Sequence, residues 1–420
     1  MKTHILRALS EKSFLNLWVG EVITQISGNL FNFFLILIVF KLTHSNTAVS
    51  GVVLSFIVPA ILFGSMAGVF VDRWDKKKVL IVTNLLRAGL LILLAFYINN
   101  LILIYIISLL FSVLTQFFIP AESPMVPLTV KKENLLSANA LFGMGIFGSI
   151  LIAYILSGPL IKLVGAANTL FILGASLTLS AALISFVKVK FAKQLSIARS
   201  INRFNFISEI KSAFSLILKT KEISHSLFLL ALSQIIVLVL ATIAPGYASQ
   251  VLRISIEDFP LVFITPAAIG MVTGAVILVN FFHSHPKQKL ITSGIILSGL
   301  AMLLLPYGSK VASKEFVTDL NVYLPHIFDI TILHIMAVIA FVLGFANSLV
   351  FVPANTIIQE KTTDAVRGKI YGFINSIVGI LSLLPVILVG GLSDLIGVSY
   401  VIVGIGICLL LVGFSRFFIK

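Results

Sequence analysis

The sequence predicts an all-α membrane protein, with twelve transmembrane helices in two pseudo-symmetric six-helix halves. Three observations predict it. The chain is 59% hydrophobic and 11% charged, with mean hydropathy +1.11, where soluble domains are about 45–50% apolar and about 25% charged. Apolar runs long enough to cross a bilayer, about 18 residues or more, recur twelve times along the chain. Lys and Arg, finally, concentrate in alternate connections between those runs.

The runs lie at roughly 14–40, 48–71, 79–98, 101–120, 138–161, 167–187, 224–247, 259–282, 289–308, 330–353, 368–390 and 398–418, with edges uncertain by several residues. The first is read as a span and not as a cleaved signal peptide. It is too long, its polar residues are central, and no small-residue cleavage site follows. With the N-terminus in the cytoplasm, 24 of the 30 basic residues fall on the side holding both termini and five on the other. Arg87 alone falls inside a span. This is the positive-inside pattern. The net charge of +14 therefore reports topology, and nucleic acid is not an expected partner. Cys408 is the only cysteine, which excludes an intramolecular disulfide and a cysteine metal cluster.

In the first span Glu21, Gln25, Asn29 and Asn32 are spaced four, four and three, which places them on one helical face. Polar side chains in spans face a bundle interior or a water-filled cavity. Glu21, Arg87 and His334 are read as the ionisable groups inside spans. Glu21 could carry a proton, or pair structurally with Arg87 or neighbouring amides; both readings stay open. The fourth span carries a weaker stripe of Ser108, Ser112, Thr115 and Gln116; Gln234, Asn347 and Asn375 are polar positions of the seventh, tenth and eleventh. The remaining lining is apolar and suits a hydrophobic or amphiphilic solute.

A basic connection at about 188–222 divides the chain into residues 1–187 and 223–420. Phe204, Ile207, Ile210, Phe214, Ile217 and Leu218 predict an amphipathic helix within it. The halves repeat. Ile57-Val-Pro-Ala60 matches Ile264-Thr-Pro-Ala267, and Phe118-Ile-Pro-Ala121 matches Phe351-Val-Pro-Ala354, at corresponding positions. Paired halves of this kind are a transporter signature.

The second span ends in Gly64-Ser-Met-Ala-Gly68-Val-Phe-Val-Asp72-Arg73-Trp-Asp-Lys-Lys-Lys78. Gly64 and Gly68 form a small-residue face that admits a close helix neighbour. The eleventh span opens with Arg367, Gly368 and Gly372, so the two are expected to form a cytoplasmic gate. Asp72 would lie near a helix N-terminus and Arg367, with Arg73 and Lys77 beside it. In the second half Gly270 and Gly274 recur without the acidic residue, so a second latch is expected to be degenerate. His283 and His285 lack the partners of a metal site, and no metal or cofactor is expected.

The run at 64–78 resembles motif A of the major facilitator superfamily, with Asp75 in place of the commoner glycine. The variant resembles the bacterial branch of macrolide-efflux and enterobactin-export proteins, as do Pro120-Ala121 with Ala138-Asn-Ala-Leu141, and Val352-Pro-Ala-Asn355 with Gln359, Arg367-Gly-Lys and Gly372. The resemblance implies the major facilitator fold, with spans 1, 4, 7 and 10 around a central cavity, in a bacterial cytoplasmic membrane. Two departures stand out. Asn29 occupies a position that is often aspartate in that branch, and Tyr154 interrupts the glycine series of an antiporter's fifth span, of which Gly148 and Gly158-Pro159 remain.

The expected function is secondary transport by alternating access, as proton-coupled export of a hydrophobic or amphiphilic molecule of drug or siderophore type. The expected partners are that substrate, protons and membrane lipids, around a monomer. The rival readings are a lipid or lysophospholipid transporter and a non-transporting membrane sensor or scaffold. Nucleotide-binding and enzymatic constellations are absent from the sequence.

Overall fold

In the computed structural model, residues 8–189, 221–282, 285–306, 331–361 and 364–418 are described. They form helices and no strand. The first six long helices are α1 (Lys12–Thr43), α2 (Asn46–Arg73), α3 (Lys76–Phe96), α4 (Leu101–Glu122), α5 (Leu135–Val164) and α6 (Ala166–Ser185). Then follow α7 (Lys221–Gly246), α8 (Thr265–Phe281), α9 (Lys287–Leu304), α10 (Ile332–Lys361), α11 (Asp364–Ile396) and α12 (Val398–Phe418). Each carries one of the twelve stretches long and apolar enough to cross a membrane. The chain is an integral membrane protein. The predicted amphipathic helix at 204–218 lies outside the described residues.

Local sequence sets the helix ends. Asp75 caps α3, its side chain accepting from Lys78 N at 3.2 Å, and Asn100 caps α4 from Leu103 N at 3.1 Å. The residue that departs from the usual motif at position 75 therefore has a structural task. Gly165 (φ 82°) joins α5 to α6 and Gly397 (φ 96°) joins α11 to α12, in a left-handed conformation that glycine adopts without penalty. α7 runs on into a π-helical turn at Tyr247–Leu252, and a second at Pro260–Ile264 leads into α8.

The chain divides into two compact units, Met1–Ile38 with Leu54–Ile207, and Val39–Val53 with Ser208–Lys420. In the first, Phe14, Leu17, Leu80, Phe118, Met125 and Ile184 belong to one buried apolar cluster. α1 meets α6 at Gly20, beside Ser180 and Ile184, and α3 meets α6 where Gly174 faces Ala88 and Ile92. The second unit packs more tightly through glycine. Cβ atoms added at Gly270 and Gly344 would overlap the carbonyls of Phe341 and Ala267, and one at Gly274 the hydroxyl of Ser348. Gly270 and Gly274, read from the sequence as a remnant of a latch, seat α8 against α10 within one unit.

Gly344→Ala should therefore lower thermal stability in detergent by the equivalent of about 1–3 kcal/mol, the usual cost of overpacking. Gly89→Ala, at a helical glycine with open space around its Cα, should be neutral or stabilising by up to about 1 kcal/mol.

Candidate functional site

Helical periodicity delivers the polar face of α1 into the first unit. Gln25 Nε2 donates to Glu21 Oε1 at 2.8 Å and to Glu122 Oε2 of α4 at 3.4 Å. Asn29 Nδ2 donates to Gln25 O at 2.8 Å. Glu21 and Glu122 are 2% and 4% exposed, and both carboxyl groups lie within hydrogen-bond distance of the same Gln25 nitrogen.

Arg87 of α3 is 2% exposed. Its Nη2 donates to Asn84 Oδ1 and its Nη1 to Thr115 Oγ1 at 3.5 Å. The guanidinium carbon lies 4.5 Å from the Phe118 ring centroid and 5.4 Å from that of Phe111, within cation–π range. Asn84 extends the network, its Nδ2 donating to Thr24 Oγ1 at 2.9 Å and Ser180 Oγ at 3.0 Å. Ser180 Oγ donates in turn to Gly20 O at 2.6 Å. Four helices, α1, α3, α4 and α6, are thus tied by one buried polar chain.

Beside the network lies a cavity of about 110 Å³, bordered by Gln25, Gly28, Asn29 and Asn32 of α1, Arg87 of α3, and Phe111, Thr115 and Phe118 of α4. At about 30 Å³ of liquid volume per water it would hold three or four. Two buried carboxyl groups with an amide donor between them are an arrangement in which one proton is readily held.

Of the partners left open for Glu21, the neighbouring amide is the one observed, as Gln25. Glu21 and Arg87 form no ion pair among the described residues; the acid faces Gln25 and Glu122, and the guanidinium faces Asn84 and Thr115. Nor is Glu21 the only carboxylate inside a span. The fourth span was expected to stop near its proline, but α4 carries Pro120 and runs through Glu122, seven residues after Thr115 and four after Phe118. That helical spacing was the available signal, as was the i, i+3 spacing of Asn84 and Arg87.

Ser112 donates to Phe56 O at 3.0 Å, tying α4 to α2. Gln116 Nε2 reaches back to Ser112 O at 3.5 Å, while its Oε1 lies 3.5 Å from where a Cβ on Gly64 would sit. In the second unit Asn347 accepts from Ser233 Oγ at 2.5 Å, and Gln234 is half-buried. Asp72 and Arg73 are exposed and Lys77 half-buried, and Lys76 Nζ donates to Asp72 O at 3.5 Å. Gly68 would meet no described atom within 4 Å of an added Cβ. Arg367, Gly368, Gly372 and Asn375 fall on the first turns of α11, whose side chains lie outside the described residues. His283 also lies outside them, and His285 packs on Phe282. His334 caps the start of α10, its Nδ1 accepting from Thr331 N at 3.0 Å. Tyr154 packs on Phe33 with centroids 5.5 Å apart.

Comparison with known proteins places this arrangement in context. Residues 17–384 match the family described as Major Facilitator Superfamily. Macrolide efflux protein A of Streptococcus pyogenes is 23% identical over 92% of this chain and 91% of its own length. The uncharacterised transporter YfiS of Bacillus subtilis is 24% identical over 90% of this chain and 86% of its own. Among solved structures, the nucleoside transporter NupG superposes with TM-score 0.75 at 12% identity, covering 96% of this chain and 98% of that one. A bacterial homologue of the human lysosomal transporter Spinster superposes with TM-score 0.71 at 11% identity, covering 100% and 97%.

Asn84→Ala would strip partners from Arg87, Thr24 and Ser180 at once. Thermal unfolding of the purified protein should register a loss of about 1–3 kcal/mol, the cost of leaving buried polar groups unpaired; an unchanged midpoint would show the network to be dispensable.

Proposed function

This chain belongs to the Major Facilitator Superfamily, and we propose that within it the protein is a proton-coupled exporter of hydrophobic or amphiphilic small molecules. The observation that carries the coupling is the buried Glu21–Gln25–Glu122 group, whose Gln25 borders a cavity together with Arg87, Asn29 and Asn32. Two acids so close share one proton more readily than they hold two charges. A single buried cation beside them offsets one carboxylate. The pair therefore has two neighbouring states, with and without its shared proton, and substrate in the neighbouring space can favour one of them.

Export is supported by the efflux protein among the relatives, and the distribution of basic loops supports a topology with both termini on the cytoplasmic side of a bacterial inner membrane. The run at Gly64, Gly68, Asp72 and Arg73 is assigned to an inner gate on its motif alone. A lipid or lysophospholipid carrier is the alternative reading, supported by the apolar character of the spans.

Transport of a macrolide into inverted vesicles tests the proposal. An acid interior should drive accumulation by the wild type. Glu21→Gln and Glu122→Gln should each lose that accumulation by about tenfold or more, as removal of a proton-carrying group does, while still equilibrating substrate without a gradient. Gradient-driven accumulation that survives both changes would exclude the acid pair. Lysophospholipid movement indifferent to pH would favour the lipid reading.

A further inference from the structure

One carboxylate holds the start of α2. Asp394, in the last turn of α11, is exposed to solvent and accepts five hydrogen bonds. Its Oδ1 takes Asn46 N at 2.8 Å and Asn46 Nδ2 at 2.9 Å. Its Oδ2 takes Ser45 Oγ at 2.6 Å, Thr47 N at 2.9 Å and Thr47 Oγ1 at 2.7 Å. The first N–H groups of a helix lack intrahelical partners, and the helix dipole favours an anion there. Asp394 meets both demands from a different helix. About one turn further along α2, Ser50 Oγ donates to Val386 O at 2.9 Å, and Gly390 leaves room for it, since a Cβ there would overlap the Ser50 hydroxyl. Val39–Val53 thus packs in one compact unit with α11, while the rest of α1 and α2 packs in the other.

We propose that Asp394 is a releasable latch on α2, closing the end of the bundle opposite the N-terminus and parting during the transport cycle. The inference rests on the transport reading, because alternating access requires helix ends to separate and rejoin. Its chemistry suits that task. Charge-assisted hydrogen bonds hold firmly when made. Thr47 and the carboxylate are exposed and Ser45 is half-buried, so they can be rehydrated when they part; Asn46, which is buried, must gain water as the seam opens. The seam of α8 against α10 is the opposite case: it is built on carbonyls packed against glycine, and no water can replace those contacts.

The test is cysteine accessibility in lipid nanodiscs, which needs no substrate and so fails independently of the export reading. Ser50→Cys, in a background with Cys408→Ser, reports the seam; Ser348→Cys, in the same background, reports the buried interface of α8 and α10. Adding Asp394→Asn should speed maleimide labelling at position 50 about tenfold, equivalent to about 1.4 kcal/mol in the opening equilibrium, and leave position 348 unchanged. Thr47→Ala, which keeps the carboxylate and most of its partners, should give a smaller rise at position 50 only. Unchanged labelling at position 50 in both variants, or an equal rise at both positions, would overturn the latch.

Discussion

Arg87 sits within α3 with 2% of its surface exposed, and a guanidinium at that depth must find its partners inside the protein. Nothing in a hydrocarbon layer can hydrogen-bond it, and an uncompensated charge there is costly. The first unit is organised around meeting that requirement. Asn84 and Thr115 take the Nη groups, the rings of Phe118 and Phe111 lie against the carbon of the guanidinium, and Glu21 and Glu122 supply opposite charge nearby. Asn84 hands the network on to Thr24 and Ser180. α1, α3, α4 and α6 are therefore fixed relative to one another by polar groups that tolerate little displacement, and the acid pair inherits a rigid setting.

The second unit solves its packing differently. Asn355 stands at the repeat position of Glu122, after the matching Pro353-Ala354, so the acidic partner has no charged counterpart at that place. In its stead, glycines at 270, 274 and 344 bring α8 and α10 into backbone contact. Close van der Waals packing is the means by which membrane helices associate when the surrounding solvent is as apolar as they are. The first half thus buries two acids around Gln25, and among the described residues of the second Ser233 donates to Asn347.

Much of this was legible in the sequence. Twelve spans follow from run length and hydropathy, because a bilayer imposes both. The polar face of α1 follows from spacing alone: Glu21, Gln25, Asn29 and Asn32 cannot scatter on a helix. What the sequence concealed was partnership across helices. Proline at 120 reads as a stop, yet α4 accommodates it and carries Glu122 into the network. Arg87 and Glu21 look like a pair because they are rare and at comparable depth, whereas geometry gives each a polar neighbour of its own. Asp394 follows an apolar run and reads as a loop charge; only the fold brings it to Ser45–Thr47.

The central claim is that Glu21 and Glu122 hold one proton between them. Isotope-edited infrared spectroscopy addresses it directly, using protein carrying carboxyl-labelled glutamate in nanodiscs at neutral pH. The account predicts a protonated-carboxyl band in the wild type that disappears in Glu21→Gln and in Glu122→Gln alike, because either change removes half of the shared site. Only ionised carboxylate bands in the wild type, or a band untouched by both substitutions, would contradict it.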